Sequence, residues 1–302
     1  MRSSGSVLCL ASGAAFGAMA VFGKLAYGEG VNVGTLLAVR FALAAVLFWA
    51  IVVAGGALRD VRALSRRDLA LGLGLGACGY AAQSGCYFAA LQRIDASLLS
   101  LLLYTFPAMV AAAAVALGRE RLDTRRLAML ALALGGLVLV VAGAGTGTLD
   151  PVGAALAIAA AVVYTTYILV SDGAVGRMAP QVLSALVCTG AAVTLTAGSA
   201  ALGQLHPGAV TGAGWGWLIS LTAVSTVGAI LLFFAGLRRV GPTTASILAT
   251  IEPVVTVGLA FLVFGEHLGG IQLAGGALVL SAVFVLNLRF ARRRMAVREA
   301  TA

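Results

Sequence analysis

Residues 88–107 read FAALQRIDASLLSLLLYTFP, and residues 234–253 read FAGLRRVGPTTASILATIEP. The two stretches align without a gap at an offset of 146, and both end on a proline, Pro107 and Pro253. The same offset brings Glu120 onto Glu266, Leu122 onto Leu268 and Leu127-Ala128 onto Leu273-Ala274. Nearer the two starts an offset of 148 sets Phe16 on Tyr164 and Met19 on Tyr167. A chain of 302 residues that repeats itself at just under half its length is built from two copies of one unit.

What each copy contains follows from composition. The chain is 61% hydrophobic and 10% charged, whereas a soluble domain is nearer half apolar and about a quarter charged. Apolar runs fall near residues 6–27, 33–54, 69–92, 96–117, 125–142, 152–171, 181–202, 215–237, 243–264 and 270–290. Each approaches the about 20 residues needed to cross a bilayer, and lipid leaves the backbone no partner but itself, so each is expected to be a helix. The chain is therefore all-α and integral to the membrane, with ten transmembrane helices. Five per copy is an odd number, so the second copy enters the membrane upside down. The result is two inverted five-helix repeats around a central cavity, an architecture that places a substrate site near the midplane. The expected units are residues 1–146, residues 147–292 and a basic tail, 293–302.

The net charge of +9 does not point to nucleic acid, because the basic residues gather in the turns between apolar runs. With both termini cytoplasmic, seventeen of the twenty fall on the cytoplasmic side, among them Arg59, Arg62, Arg66 and Arg67, Arg119 and Arg121, Arg238 and Arg239, and Arg292 to Arg294. That asymmetry is what the positive-inside rule produces, and Arg292 to Arg294 are expected to touch lipid headgroups. Cys9, Cys78, Cys86 and Cys188 lie inside apolar runs without metal-ligand spacing and read as helix packing. The apolar stretch after Arg2 is too long for a signal sequence and is kept as the first helix.

The charges inside the runs are the candidate site. Glu252 is about nine residues into its run, so at ~1.5 Å per residue it lies roughly 13 Å deep in a core about 30 Å thick. A carboxylate facing lipid there costs at least about 2.5 kcal/mol, so it should face the interior. It suits binding of a substrate amine, loading and release of a proton, or a bond to the backbone that Pro253 leaves without a donor. Arg40 is about seven residues into the second run and is expected to neutralise Glu252, hold a substrate carboxylate as a fork, or snorkel outward. Lys24, three residues from the end of the first run, is expected to snorkel. Polar and aromatic residues at helical spacing mark further inward faces: Tyr80, Gln83, Ser84 and Tyr87; Ser97, Ser100 and Tyr104; Tyr164, Tyr167 and Ser171; Ser246, Thr250 and Thr256. Tyr87, Tyr104, Tyr164 and Tyr167 form the expected aromatic wall. Pro107 and Pro253 are mid-run and read as paired hinges or as static bends. Glu120 and Glu266 fall at opposite faces, as helix-end caps or gate pairs. The Gly13/Gly17 and Gly72/Gly76 spacings permit close helix packing.

Ten helices in two halves, the VRFALA segment at residues 39–44, the YTFP segment ending at Pro107 and the IEPVVTVGLAFLVFGE segment at residues 251–266 together resemble the EamA-type branch of the drug/metabolite transporter superfamily. The resemblance spans nearly the whole chain. It implies an inner-membrane carrier, mostly an exporter of amino acids and other small metabolites, working by alternating access with its first, third, fourth, sixth, eighth and ninth helices around the cavity. Phe16 and Tyr164 stand where that family often has tryptophan. The expected partners are a small-molecule substrate, membrane lipid and protons, with no nucleic acid. No cofactor or metal is expected, and no GxxxxGK[ST] loop offers ATP a cradle. The alternatives are an integral-membrane enzyme acting on lipid and a non-transporting receptor or scaffold. Against the enzyme, His206 and His267 are expected in turns, away from any acidic cluster.

Overall fold

The computed structural model describes residues 2–118, 124–143, 150–175 and 177–300, and within them all side chains except those of residues 2, 3, 125, 126, 172–175, 242, 243, 246 and 286–300. Glu120, the side chain of Ser246, the side chains of the basic tail and residues 301–302 thus lie outside what is described.

The described chain is helical throughout, with no strand. Its elements are α1 (Arg2–Gly17), α2 (Met19–Gly28), α3 (Val33–Ala54), α4 (Leu58–Ala63), α5 (Arg66–Gly74), a π-turn (Leu75–Tyr80), α6 (Ala81–Leu91), α7 (Ala96–Leu103), α8 (Phe106–Ala116) and α9 (Thr124–Gly143). After these come α10 (Pro151–Val175), α11 (Pro180–Ala201), a 3₁₀ turn (Pro207–Ala209), α12 (Gly212–Thr222), a second π-turn (Ala223–Gly228), α13 (Ala229–Ala249), α14 (Ile251–Phe264) and α15 (Gly270–Ala300). Among the described residues seven helical spans are long and apolar enough to cross a membrane, and Leu127–Gly143 and Gly270–Val285 are shorter apolar helices. The expected run at 69–92 is α5, the π-turn and α6 in one continuous helical path. The short α4 was not expected.

Helix starts follow from capping. The side chains of Asn32, Ser65 and Thr211 accept from the backbone N–H three residues on, which satisfies one of the donors a first turn leaves open. Asp150 does the same for Val152 and Gly153 at the head of α10. At the other end of α14, Gly265 takes the left-handed conformation (φ 66°) that closes a helix. Gly241 (φ 81°, ψ 163°) breaks α13 in a region of backbone space that is essentially reserved for glycine.

Packing is pairwise. α1 lies along α13, α3 along α11, α6 along α10, α7 against α14 and α9 along α15. Where α1 meets α13, a Cβ placed on Gly5 would stand 2.6 Å from Val240. Where α10 meets the end of α6, a Cβ on Gly153 would stand 2.7 Å from Ile94. Gly153 follows Gly5 by 148 and Val240 follows Ile94 by 146, the two offsets read from the sequence. The π-turns obey the same rule, Ala223–Gly228 following Leu75–Tyr80 by 148.

Candidate functional site

Glu252 is the second residue of α14, and its backbone is pinned against α1. A Cβ on Gly17 would lie 2.7 Å from the Glu252 carbonyl, so α1 approaches there only because residue 17 has no side chain. The Thr256 hydroxyl donates to the Gly17 carbonyl (2.9 Å) and to the Glu252 carbonyl (3.1 Å), fastening the same crossing. The second member of the Gly13/Gly17 spacing is therefore a contact point with α14. Gly76 likewise faces the backbone of Val187 on α11.

Pro253 has no N–H to offer the carbonyl four residues earlier, that of Ala249. The Tyr104 hydroxyl donates to that carbonyl at 2.7 Å, tying the end of α7 to the break between α13 and α14. The bond that the sequence left open to Glu252 is thus made by Tyr104. Among the described residues the Glu252 side chain has neither a hydrogen bond nor an ion pair. Its surroundings are aromatic and hydroxylic: the hydroxyls of Tyr80, Tyr87, Tyr104 and Tyr164 lie within electrostatic reach of its carboxylate. These come from the end of a π-turn (Tyr80), from α6 (Tyr87), from the residue that follows α7 (Tyr104) and from the middle of α10 (Tyr164), so the acid faces protein.

Arg40, on α3, is 1% exposed and does not snorkel. Its Nε donates to the Thr226 hydroxyl (2.9 Å) and its Nη2 to the Met19 sulfur (3.1 Å). The guanidinium carbon stands 4.9 Å from the Phe41 ring centre and 5.2 Å from that of Phe88. No ion pair among the described residues joins it to Glu252. Tyr80 and Tyr87 lie within reach of both charges.

The rings make a continuous series. Phe41 meets Tyr80 (5.4 Å), Tyr80 meets Tyr167 (5.7 Å), Tyr167 stacks on Tyr164 (6.1 Å, 17°), Tyr164 meets Phe106 (4.6 Å) and Phe106 meets Tyr104 (5.7 Å). Three of the four tyrosines of the expected wall lie in this series, and Tyr87 joins it through Phe88 at 5.2 Å and the Arg40 stack. Gln83 is buried one turn before Tyr87 and accepts from the Ser84 hydroxyl (3.2 Å), with no bond to either charge. Thr250 sits in the break, its hydroxyl on the Ile247 carbonyl (2.7 Å). In α7–α8 the break falls at Tyr104 and Thr105, the Thr105 hydroxyl on the Leu102 carbonyl (2.7 Å). Pro107 and Pro253 thus each follow a break by two or three residues.

A second acid is held quite differently. Glu266, just past α14, accepts from Lys24 Nζ (2.6 Å), from the Ala96 N–H (3.1 Å), and from the N–H (2.9 Å) and hydroxyl (2.8 Å) of Ser97. Lys24 also approaches Asp95 at 3.6 Å and the Phe264 ring at 5.2 Å. Lys24 is therefore clasped to α14 and α7, where the sequence suggested snorkelling. A nearby acid can hold a lysine that stands alone in the one-dimensional reading. Burial pushes the Glu266 carboxyl up, but the bonds from Lys24, Ser97 and Ala96 outweigh it and hold the group below its ordinary range.

Sequence reasoning missed Thr226, Phe41, Phe88 and Phe106. Only Thr226 carried a signal, as one of three hydroxyls in the LTAVST segment of an otherwise apolar run.

Comparison with known proteins places the molecule. The description "EamA-like transporter family" matches residues 3–142 and again residues 151–288. An "Uncharacterized transporter" of Archaeoglobus fulgidus is 30% identical over 281 residues, 93% of this chain and 95% of that protein. "Uncharacterized transporter YcbK" of Bacillus subtilis is 25% identical over 280 residues, 90% and 89% of the two chains. A solved structure described as "Crystal structure of protein" shares the fold with a TM-score of 0.67 at 21% identity, over 97% of this chain and 100% of that one. The chain belongs to the EamA-like transporter family and is a multi-pass membrane transporter of the drug/metabolite type.

Proposed function

We propose that this protein is a secondary-active carrier, an exporter of amino acids or similar small metabolites, in which two inverted five-helix halves alternate access to a site around Glu252. The halves are residues 1–146 and 147–292, and both termini are cytoplasmic in the inner membrane. Support for the duplication comes from the matched π-turns, from the paired Gly5 and Gly153 contacts, and from the family description matching twice. The helix pairs support it too. Exchanging the halves turns the α1–α13 pair into the α10–α6 pair and maps α3–α11 and α9–α15 onto themselves.

The observation that carries the functional reading is the Glu252 carboxylate, unpaired among the described residues and within electrostatic reach of four tyrosine hydroxyls drawn from both halves. Because Tyr104 already satisfies the carbonyl that Pro253 strands, a structural duty for the acid is filled by another residue. An acid so placed holds a substrate amine or carries a coupling proton. Tyr87, Tyr164 and Tyr167 offer the substrate ring faces and hydroxyls, Gln83 and Thr250 border them, and Pro107 and Pro253 lie at the breaks about which the halves rock.

The test is flux in proteoliposomes under an imposed pH gradient. Radiolabelled amino acids accumulate with the wild-type protein and fail to accumulate with Glu252→Gln of unaltered thermal stability. Unchanged flux in that variant removes Glu252 from the mechanism. Conversion of bilayer lipid without solute flux overturns the carrier in favour of an enzyme.

A further inference from the structure

Arg40 is a buried cation with no carboxylate against it among the described residues. A guanidinium carries five N–H donors, yet among the described residues only Nε and Nη2 are bonded, to a hydroxyl and a thioether, both weak partners for a full charge. The hydroxyl belongs to Thr226, in the second π-turn, and Thr226 in turn donates to the Leu221 carbonyl five residues earlier (3.2 Å). Single π-turns inside α-helices concentrate at functional sites, since the wide turn is held only by specific contacts. Next to Thr226, Ser225 is 0% exposed, and its hydroxyl is the one buried side-chain polar atom among the described residues that lacks a hydrogen-bond partner. A buried orphan hydroxyl is costly. A cation lacking its counter-ion, a π-turn fastened to that cation and an orphan hydroxyl in the same turn all describe a state waiting for something.

We infer that Arg40 is the receptor for an oxyanion, the carboxylate of a transported solute, and that Thr226 is its placeholder. When the anion takes the guanidinium fork, Thr226 is released. Its hydroxyl can then bond the carbonyl four residues back, as threonine does in a regular helix. The π-turn then closes to α, and the register of α13 relative to α12 changes. The charge of the ligand is so read directly into the backbone of the second half. By the repeat, Leu75–Tyr80 is the matching turn in the first half, and its last residue, Tyr80, lies within reach of Arg40. This inference rests on the carrier reading only in making the anion a solute; its test is binding, without flux, so either can fail alone.

The probe is benzoate against benzamide, which share ring and shape and differ in charge, on purified full-length protein at constant ionic strength. Benzoate raises the melting temperature and slows amide hydrogen exchange across residues 221–230, and benzamide does neither. Thr226→Val removes the competing hydroxyl. Its benzoate affinity rises about tenfold, the worth of one hydrogen bond to a charged group, and its exchange across 221–230 is already slow without ligand. Thr226→Ser restores wild-type behaviour. A purely structural Thr226 would shift the melting temperature of the valine variant and leave the benzoate concentration dependence where it was. That result, or equal effects of benzoate and benzamide, or retention of benzoate binding in a folded Arg40→Gln variant, overturns the proposal.

Discussion

Glu252 and Glu266 stand fourteen residues apart, one at the start of α14 and one just past its end, and the chain treats them in opposite ways. Glu266 is matched donor for acceptor: a lysine, two backbone N–H groups and a hydroxyl converge on it, and its side chain is 6% exposed. Glu252 has tyrosine hydroxyls in its neighbourhood and no bonded partner among the described residues. Compensated charge fastens helices together, whereas charge left uncompensated deep in an apolar bundle is costly and persists where something else supplies the partner. Glu266 joins α2 and α7 to the end of α14, and on the proposed reading Glu252 is left for cargo or proton.

The largest effect on stability is expected at the clasp. Glu266→Ala leaves Lys24 with only Asp95 at 3.6 Å and strands the N–H groups of Ala96 and Ser97. Breaking a largely buried pair in this way costs about 3 kcal/mol, seen as a lower denaturation midpoint in detergent. A shift near zero would show that the clasp is ornamental and would blunt the contrast between the two acids. Next comes the crossing that places Glu252. Gly17→Val drives a side chain into the Glu252 carbonyl and costs about 1–3 kcal/mol of overpacking. Flux should fall further than stability, because α14 must shift at its acid. Equal flux per folded molecule would show that the position of Glu252 is not critical.

Tyr104→Phe orphans the Ala249 carbonyl and costs about 1–2 kcal/mol. A loss of flux out of proportion to that cost would return Tyr104 from the helix break to the substrate wall. The smallest effect is titration of the clasp. The folded Glu266 carboxyl titrates below its unfolded value, so the stability it gives is fully present above that value and is lost as pH falls through the depressed one. Between neutral pH and about 5.5 the wild-type and Glu266→Gln melting temperatures should keep a constant gap, which narrows as the pH falls through and below the unfolded carboxyl range of about 4.3. A gap that widens on acidification reverses the sign and contradicts the assignment.

Much of the fold was legible because lipid imposes a blunt rule: apolar stretches of sufficient length must be helices. The internal offset was legible because two copies of one packing problem keep the same residues at FAALQR and FAGLRR. The interior address of Glu252 followed from the cost of the alternative. Partners were not legible. Nothing in the neighbourhood of Lys24 announces Glu266, 242 residues away, and the arrangement of helices alone decides that a lysine near a helix end is clasped. Tyr104 was read as a wall residue because its ring is, while its hydroxyl goes to a carbonyl that only a proline 149 residues on makes available. The π-turns leave no local mark that periodicity can register, since one extra residue in a uniformly apolar helix shifts nothing visible.

The contrast between the two acids is tested most directly by measuring thermal stability and solute flux on one preparation of each of Glu252→Gln and Glu266→Gln. Glu252→Gln should melt at or above the wild-type temperature and carry no flux, and Glu266→Gln should melt lower while each folded molecule still transports. If Glu252→Gln transports normally, or if the two variants lose stability and flux together, the division between a fastening acid and a working acid is wrong.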